Sequence, residues 1–405
     1  MSAHVKDKQD IVLVIIALGL TLSSIAGFIH IGPVYYVSMA LLGIVLFFRS
    51  RGQIKIGLGW IICFLIAGFL SLLANNPPKF FNAWSRLGLY SVLLIIVSPL
   101  VSGDSIALSR KKLLEYIMLI CVIISIGSLF AYFLGINFFD RGEGYLEISA
   151  GSFSGLMNHS IVLGHFAGLS TVYMVSKALS KNHKFIRLVY YLMGLLCFGA
   201  CLLSASRNGI YSCVIACITI VICYYRQRIL KGLFALLAFV CLAAITFPVW
   251  GDLTGFLIEK NANNVEMGDS IFFSRENKFN ARIKEFESSP IFGIGFCTVN
   301  PQWDKVNYEN GQVEPGSSWL AVGSMMGLVG MVPFLMICAI SVKKAWKRRN
   351  RPESCLLSSL LFFYLVHLLS EGYLMAPRSF LAMVFWLLLG AIYAPEDAIM
   401  NPNQE

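Results

Sequence analysis

Apolar residues run in blocks of about 17 to 25 along the chain, long enough to cross the hydrocarbon core of a bilayer as α-helices. Twelve such blocks begin near residues 11, 33, 56, 84, 113, 153, 188, 208, 229, 318, 354 and 378. The pattern predicts an all-α polytopic membrane protein with twelve transmembrane helices. No charge-dominated run, long Gly/Ser/Pro tract or sequence repeat divides the chain, so residues 1–405 read as a single membrane domain. The first block follows Lys6 and Lys8 and has no small-residue cleavage pattern after it, which predicts a retained signal anchor and a cytoplasmic N-terminus.

One interruption stands apart from the rest. Residues 250–317, between the ninth and tenth predicted spans, leave the membrane for 68 residues, whereas connections in helical proteins usually take about 2 to 8. Trp250, Phe272, Phe273, Phe279, Phe286, Phe292, Phe296, Trp303 and Tyr308 give this loop too much aromatic surface for a solvated tether. Its middle predicts a short helix over 270–288, stopped by Pro290 and followed by a turn at Gly293 and Gly295. On a helical period Arg275, Phe279, Arg282 and Phe286 form one stripe. Such a stripe is expected along the outer membrane–water boundary, phenyl rings down and guanidiniums level with the headgroups.

Composition agrees with this pattern: the chain is 57% apolar and 13% charged, outside the range of a soluble globular domain. The net charge of +10 reflects topology. Alternating outward from a cytoplasmic N-terminus, 21 of the 32 Lys and Arg residues fall in predicted cytoplasmic segments, five in short outer loops and six in the long one, so both termini are expected inside. Basic residues dispersed over turns form no patch for nucleic acid, and none is expected as a partner. Of eleven cysteines, Cys297 alone lies in the long loop, so no disulfide framework is expected there. Cys197 and Cys201 sit one helical turn apart but lack further ligands nearby. The six histidines are scattered and no carboxylate pair resembles an Asp-x-Asp site, so no metal and no cofactor is expected.

Against this background Arg207 is conspicuous, the one charge between Leu188 and Tyr225. A guanidinium at mid-membrane costs about 2.5 to 3.5 kcal/mol on insertion scales. At the predicted outer turn between the seventh and eighth spans the penalty is smaller, and snorkelling to water explains the residue as well as a function does. Its neighbours Ser204, Ala205, Ser206, Asn208 and Gly209 are small or polar and permit close approach by a ligand, with Ser206 a candidate contact. Arginine suits phosphate because its planar fork makes two parallel charge-assisted hydrogen bonds. Arg207 with Arg275 or Arg282 would make a two-arginine clamp for a diphosphate at the outer leaflet, the group a lipid-linked sugar carries at that depth.

Several segments carry a family likeness. "GLMNHSIVLGHFAG" (155–168), "SASRNG" (204–209) and "SRENKFNARIKEFESSPIFGIGF" (274–296) occur in this order around one large loop. In that arrangement the chain resembles the O-antigen ligase and O-antigen polymerase superfamily, multi-span glycosyltransferases of the GT-C type. The resemblance implies an undecaprenyl-diphosphate-linked glycan donor, a periplasmic active site and inverting displacement without a metal. It matches Arg207 to one family arginine and Arg275 to the second, with Arg282 as the alternative register. Asn158 and His159 lie in the family-like segment and are expected along the glycan path. Ligases carry a histidine, a small polar residue, nine residues and Gly-x-x-Gly after the loop. Here "GSSWLAVGSMMGLVG" keeps Ser317, Gly327 and Gly330 but has Gly316 in the histidine's place.

That departure, and the preceding "EPGSS", points to a repeat-unit polymerase over a ligase. Glu314 and Glu371 are the candidate general bases for the acceptor hydroxyl, a role typically worth about 10²- to 10⁴-fold. The alternatives are a solvated loop acid at Glu314 and a Glu371–Arg378 ion pair. Trp303 is expected to stack on a sugar face. The partners implied are an undecaprenyl-diphosphate-linked oligosaccharide, membrane lipids and a chain-length regulator protein, at a bacterial inner membrane. A ligase acting on lipid A core, a flippase of lipid-linked sugar and a structural envelope subunit are the competing readings.

Overall fold

A computed structural model describes residues 3–25, 32–50, 52–136, 153–225, 251–255, 258, 275–306, 308–309, 311–349 and 351–394. Among them lie twelve α-helices: α1 (Ala3–Leu22), α2 (Gly32–Ser50), α3 (Trp60–Asn75), α4 (Ala83–Val97), α5 (Asp104–Phe133), α6 (Ser160–Leu179), α7 (Lys184–Leu203), α8 (Arg207–Tyr224), α9 (Glu276–Ser288), α10 (Ser318–Lys347), α11 (Pro352–His367) and α12 (Phe380–Ile392). Eleven of the twelve predicted spans coincide with a helix; the ninth, from residue 229, lies outside the described residues. Six helical segments have the length and apolarity to cross a membrane, with four shorter apolar helices beside them. Phe47, Phe48, Ile123, Phe130 and Leu195 face outward from α2, α5 and α7, as residues packed by lipid tails do. The protein is an all-α, multi-pass membrane protein.

At the centre stands α12, in which every residue from Phe380 to Ile392 is buried. A helix apolar all round has no face to give to water, and here it fills the middle of the bundle. It packs against α5, α11, α4 and α10; α6 packs with α7, α8 and α5, α11 lies against α8 and α6, and α10 lies against α3 and α9.

Three helices begin seven or more residues from their predicted starts: the first at Ala3, eight residues before its apolar block, and two others for a polar reason. The fifth starts at Asp104, nine residues before the apolar block, because Arg110 is buried there and gives its donors to the carbonyls of Ile96 (Nε, 3.0 Å; Nη2, 2.6 Å) and Val101 (Nη1, 2.6 Å). Those carbonyls sit at and beyond the C-terminal end of α4, where a helix leaves acceptors unsatisfied. The sixth starts at Ser160, with His159 as N-cap, seven residues after the apolar block begins.

The chain alternates between two poles. One gathers Asp10, Arg49, Lys112 and Arg348, joined by Lys112–Asp10 (2.9 Å), Arg49–Ser109 (2.8 Å) and Arg348 to the Ala394 carbonyl (2.6 Å); Lys111 and Glu353 pair nearby. The other receives the ends of α5, α7 and α11 and the starts of α6, α8 and α10.

The helix α10 is broken where the loop meets it. Gly327 has φ 61° and ψ −159° inside an otherwise helical run. The interrupted backbone is satisfied by the segment after α9: Leu328 N–H donates to the Pro290 carbonyl (2.8 Å), Ile294 N–H to Ser324 (2.9 Å) and Gly295 N–H to Met325 (3.1 Å). Ser71 of α3 donates to the Met325 carbonyl (2.5 Å) and Asn75 to that of Gly293 (2.7 Å). Non-helical backbone at membrane depth persists only where it is buried and paired in this way. A Cβ at Gly327 would come 2.2 Å from the Ile291 carbonyl oxygen, and one at Gly293 2.3 Å from the Met325 backbone. The Pro-x-x-Gly-x-Gly and Gly-x-x-Gly stretches are thus two halves of one joint.

Candidate active site

Three helices open at the second pole with a side chain capping the first turn. His159 Nδ1 accepts from Ile161 N–H (3.1 Å), Ser206 Oγ from Gly209 N–H (3.3 Å) and Ser317 Oγ from Leu320 N–H (3.3 Å). His159, Ser206 and Ser317 are therefore the N-caps of α6, α8 and α10, a role that satisfies otherwise orphaned N–H groups. The positive dipole ends of three helices are gathered where an anion would be stabilised. Asn158 precedes the first of these caps; its N–H donates to the Ser24 carbonyl (3.2 Å), and its Oδ1 is buried without a hydrogen-bond partner among the described residues.

Arg275 is the N-cap of α9 and the hub of the pole. Its Nη1 donates to the carbonyls of Ser370 (2.8 Å) and Gly316 (3.3 Å) and meets Glu371 at 3.1 Å, while Nη2 lies 3.7 Å from Glu314. Glu314 also pairs with Lys278, one turn into α9, at 2.7 Å. Arg207, the first residue of α8, is close enough to Arg275 for the two charges to repel. Both arginines are half-buried. The structure thus brings Arg207, Arg275, Glu314 and Glu371 to one place, and Glu371 pairs with Arg275 there. Partial desolvation pushes the carboxyl of the exposed Glu314 up, but Lys278, Arg275 and His159 together outweigh it and hold the group below its ordinary range.

Backbone geometry explains the residue at position 316. Gly316 has φ 80°, and a Cβ there would meet the Lys278 Cβ at 2.9 Å. A histidine would be strained in the left-handed region and would collide with Lys278. The loop carbonyl that Arg275 needs is available because this position is glycine.

Arg282 has a different environment. It is wholly buried, with Nη2 at 2.8 Å from Glu285 and 2.9 Å from Asp304. Glu285 Oε1 accepts the Asn300 N–H (2.7 Å). Burial raises the Glu285 carboxyl to about 7, against the pull of Arg282 and the Asn300 N–H. One guanidinium facing two buried carboxyls balances its charge best when one of them keeps a proton. Arg282 and Glu285 are the inward face of α9, which is packed on α10; the boundary helix with both guanidiniums at headgroup level is not what forms. The described helix begins at Glu276, and residues 270–274 lie outside the described residues. Trp303 is half-buried in the turn beside Asp304, with the Arg282 group and not with Arg275.

Sequence reasoning assigned no role to Lys278, His367 or Tyr373, and took Asn208 only as a polar neighbour of Arg207. Asn208 Nδ2 donates to the His367 carbonyl (2.6 Å), tying the start of α8 to the end of α11. Adjacency to Arg207 was the only signal for Asn208. Among the described residues no group of three or more His, Cys, Asp or Glu is placed to hold a metal ion.

A multi-pass helical bundle with a cationic, carboxylate-braced pole beneath three helix N-termini is the class of protein defined so far. Residues 192–335, from α7 through the joint in α10, match the O-antigen ligase family model, which supports the chain's place in the O-antigen polymerase and ligase superfamily. That family implies glycosyltransferase-like enzymatic activity. No curated protein matches the chain.

Proposed function

We propose that the protein is a polysaccharide repeat-unit polymerase, moving a growing glycan from undecaprenyl diphosphate to the next lipid-linked repeat unit at the periplasmic face of a bacterial inner membrane. The observation that carries the reading is that Arg207 and Arg275, from two separate parts of the chain, lie within electrostatic reach of one another, with Glu371 bound to Arg275. The bond from the anomeric carbon to the diphosphate breaks, and its electron pair leaves with the diphosphate. The two guanidiniums and the helix N-termini stabilise that charge, as preorganised donors do. The acceptor hydroxyl attacks from the opposite side, inverting the centre, and its proton passes to Glu371 and then to solvent. Glu314, held ionised by Lys278, steadies Arg275. Leaving-group departure of this kind needs no metal. Membrane lipids surround the domain, formed by the whole chain, and a chain-length regulator is its protein partner.

Gly316 favours polymerase over ligase, because the backbone there leaves no room for the histidine that ligases carry. The test is elongation by the purified protein supplied with undecaprenyl-diphosphate-linked repeat units. Polymer on the lipid carrier supports the reading. Transfer only to lipid A core makes the protein a ligase, and flipping without elongation makes it a transporter.

A further inference from the structure

Behind the pole, four side chains from three parts of the chain form a hydrogen-bonded line into the bundle. Tyr364 Oη lies 3.0 Å from His165 Nε2, His165 Nδ1 lies 3.4 Å from His367 Nε2, and His367 Nδ1 lies 3.1 Å from Tyr373 Oη. His165, His367 and Tyr364 are fully buried, whereas Tyr373 is half-buried on the turn that carries Glu371. None of the glycosyl-transfer steps above uses these groups.

The line has a direction, and burial sets it. Two histidines shut away from water and from carboxylates are neutral, and each then carries one N–H and one bare nitrogen. Only two arrangements of protons satisfy all three links. In one, every donor points toward the interior, and the Tyr364 O–H is left over. His165 is its one hydrogen-bond partner among the described residues, so this arrangement strands a hydroxyl proton in the apolar core, which is unfavourable. In the other, Tyr364 donates to His165, His165 to His367 and His367 to Tyr373. The second arrangement leaves the spare proton on Tyr373, at the pole.

Resting on the glycosyl-transfer reading, we infer that the Tyr373 hydroxyl is a further substrate-contacting donor, aimed at the departing diphosphate, and that Tyr364, His165 and His367 are positioning residues that hold its proton outward. The location fits. Tyr373 is two residues from Glu371 and feels its charge, Glu371 holds Arg275, and the His367 carbonyl holds Asn208 beside Arg207. The same histidine therefore braces the Arg207-bearing segment through its carbonyl and orients the tyrosine through its ring.

The test uses full-length protein in the elongation assay, with folding checked by thermal unfolding. Tyr373→Phe removes one hydroxyl and is expected to lower kcat about 10²-fold, as loss of one oxyanion donor does, with little change in KM. Tyr364→Phe, deep in the bundle, is expected to lower kcat less, because the line can then reverse. Placed on Tyr373→Phe it should lower kcat no further, since the two act through one proton. Should Tyr364→Phe fail to fold, His165→Gln replaces it in the same cycle. Tyr373→Phe at the wild-type rate, or a double variant whose loss is the product of the two single losses, overturns the inference. If Arg207→Ala and Arg275→Ala are inactive while Tyr373→Phe is normal, the inference alone falls. Wild-type protein that elongates nothing takes the glycosyl-transfer reading down with it.

Discussion

Arg275 and Arg282 lie two helical turns apart on the same stripe of α9, and the structure uses them in opposite ways. Arg282 is sealed between Glu285 and Asp304, with none of its side chain exposed. Arg275 keeps 18% of its side chain open, spends one nitrogen on backbone carbonyls and Glu371, and lies within electrostatic reach of Arg207. A buried arginine with two carboxyls is a structural fastener, since each partner exists to neutralise the other. An arginine at a helix N-cap near a second arginine is opposed by like charge and by the helix dipole, and Glu371 and the exposed Glu314 offset that only in part. Such an unfavourable arrangement makes sense when an anion is what it serves.

The contrast predicts different failures. Arg275→Ala should leave the fold intact and lower elongation about 10²- to 10³-fold, the usual effect of removing a transition-state donor; normal unfolding temperature with lost turnover is the expected pair of readings. Arg282→Ala should strand the buried Glu285 and the half-buried Asp304 and cost about 3 to 5 kcal/mol of stability, seen as a lowered unfolding temperature and reduced yield. What folds should still elongate. A third change probes the support of Arg275: Gly316→Ala puts a Cβ into a left-handed position against Lys278 and should cost about 1 to 2 kcal/mol.

The smallest effect is a pH dependence. Glu285 has its carboxyl raised in the folded protein to about 7 from an ordinary 4.5. A raised value means that the group stabilises the fold fully below its unfolded value, and that this contribution is lost as pH rises through about 7. Unfolding temperature should therefore decline gently over that window, and Glu285→Gln should flatten the decline. A wild-type slope that survives the substitution would assign it to another group.

Much of the bundle was legible because apolar blocks of membrane length are a strong, local signal. Eleven blocks became helices, and Arg49, Lys111, Lys112 and Arg348 from the turns between them lie at one pole. The joint between Gly327 and the 290–295 segment was not legible. Its glycines sit in an apolar run that reads as continuous helix, and the hydrogen bonds that replace the broken turn come from another part of the chain. The stripe on α9 predicted that Arg275 and Arg282 share a face but could not say which would be swallowed by α10. Glu371 had a plausible partner seven residues away in Arg378, and the structure instead pairs it with Arg275, far back in sequence. His165 and His367 appeared as two scattered histidines; only the packing of α6 against α11 makes them neighbours.

The central claim is that Arg207 and Arg275 together hold a diphosphate. Its most direct test is binding of undecaprenyl diphosphate to the purified protein, compared with Arg207→Ala, Arg275→Ala and Arg282→Ala. Each charge-assisted contact is worth about 1.5 to 3 kcal/mol, so the first two variants should each bind at least about tenfold more weakly while folded Arg282→Ala binds as wild type. Equal affinity across wild type, Arg207→Ala and Arg275→Ala would contradict the claim.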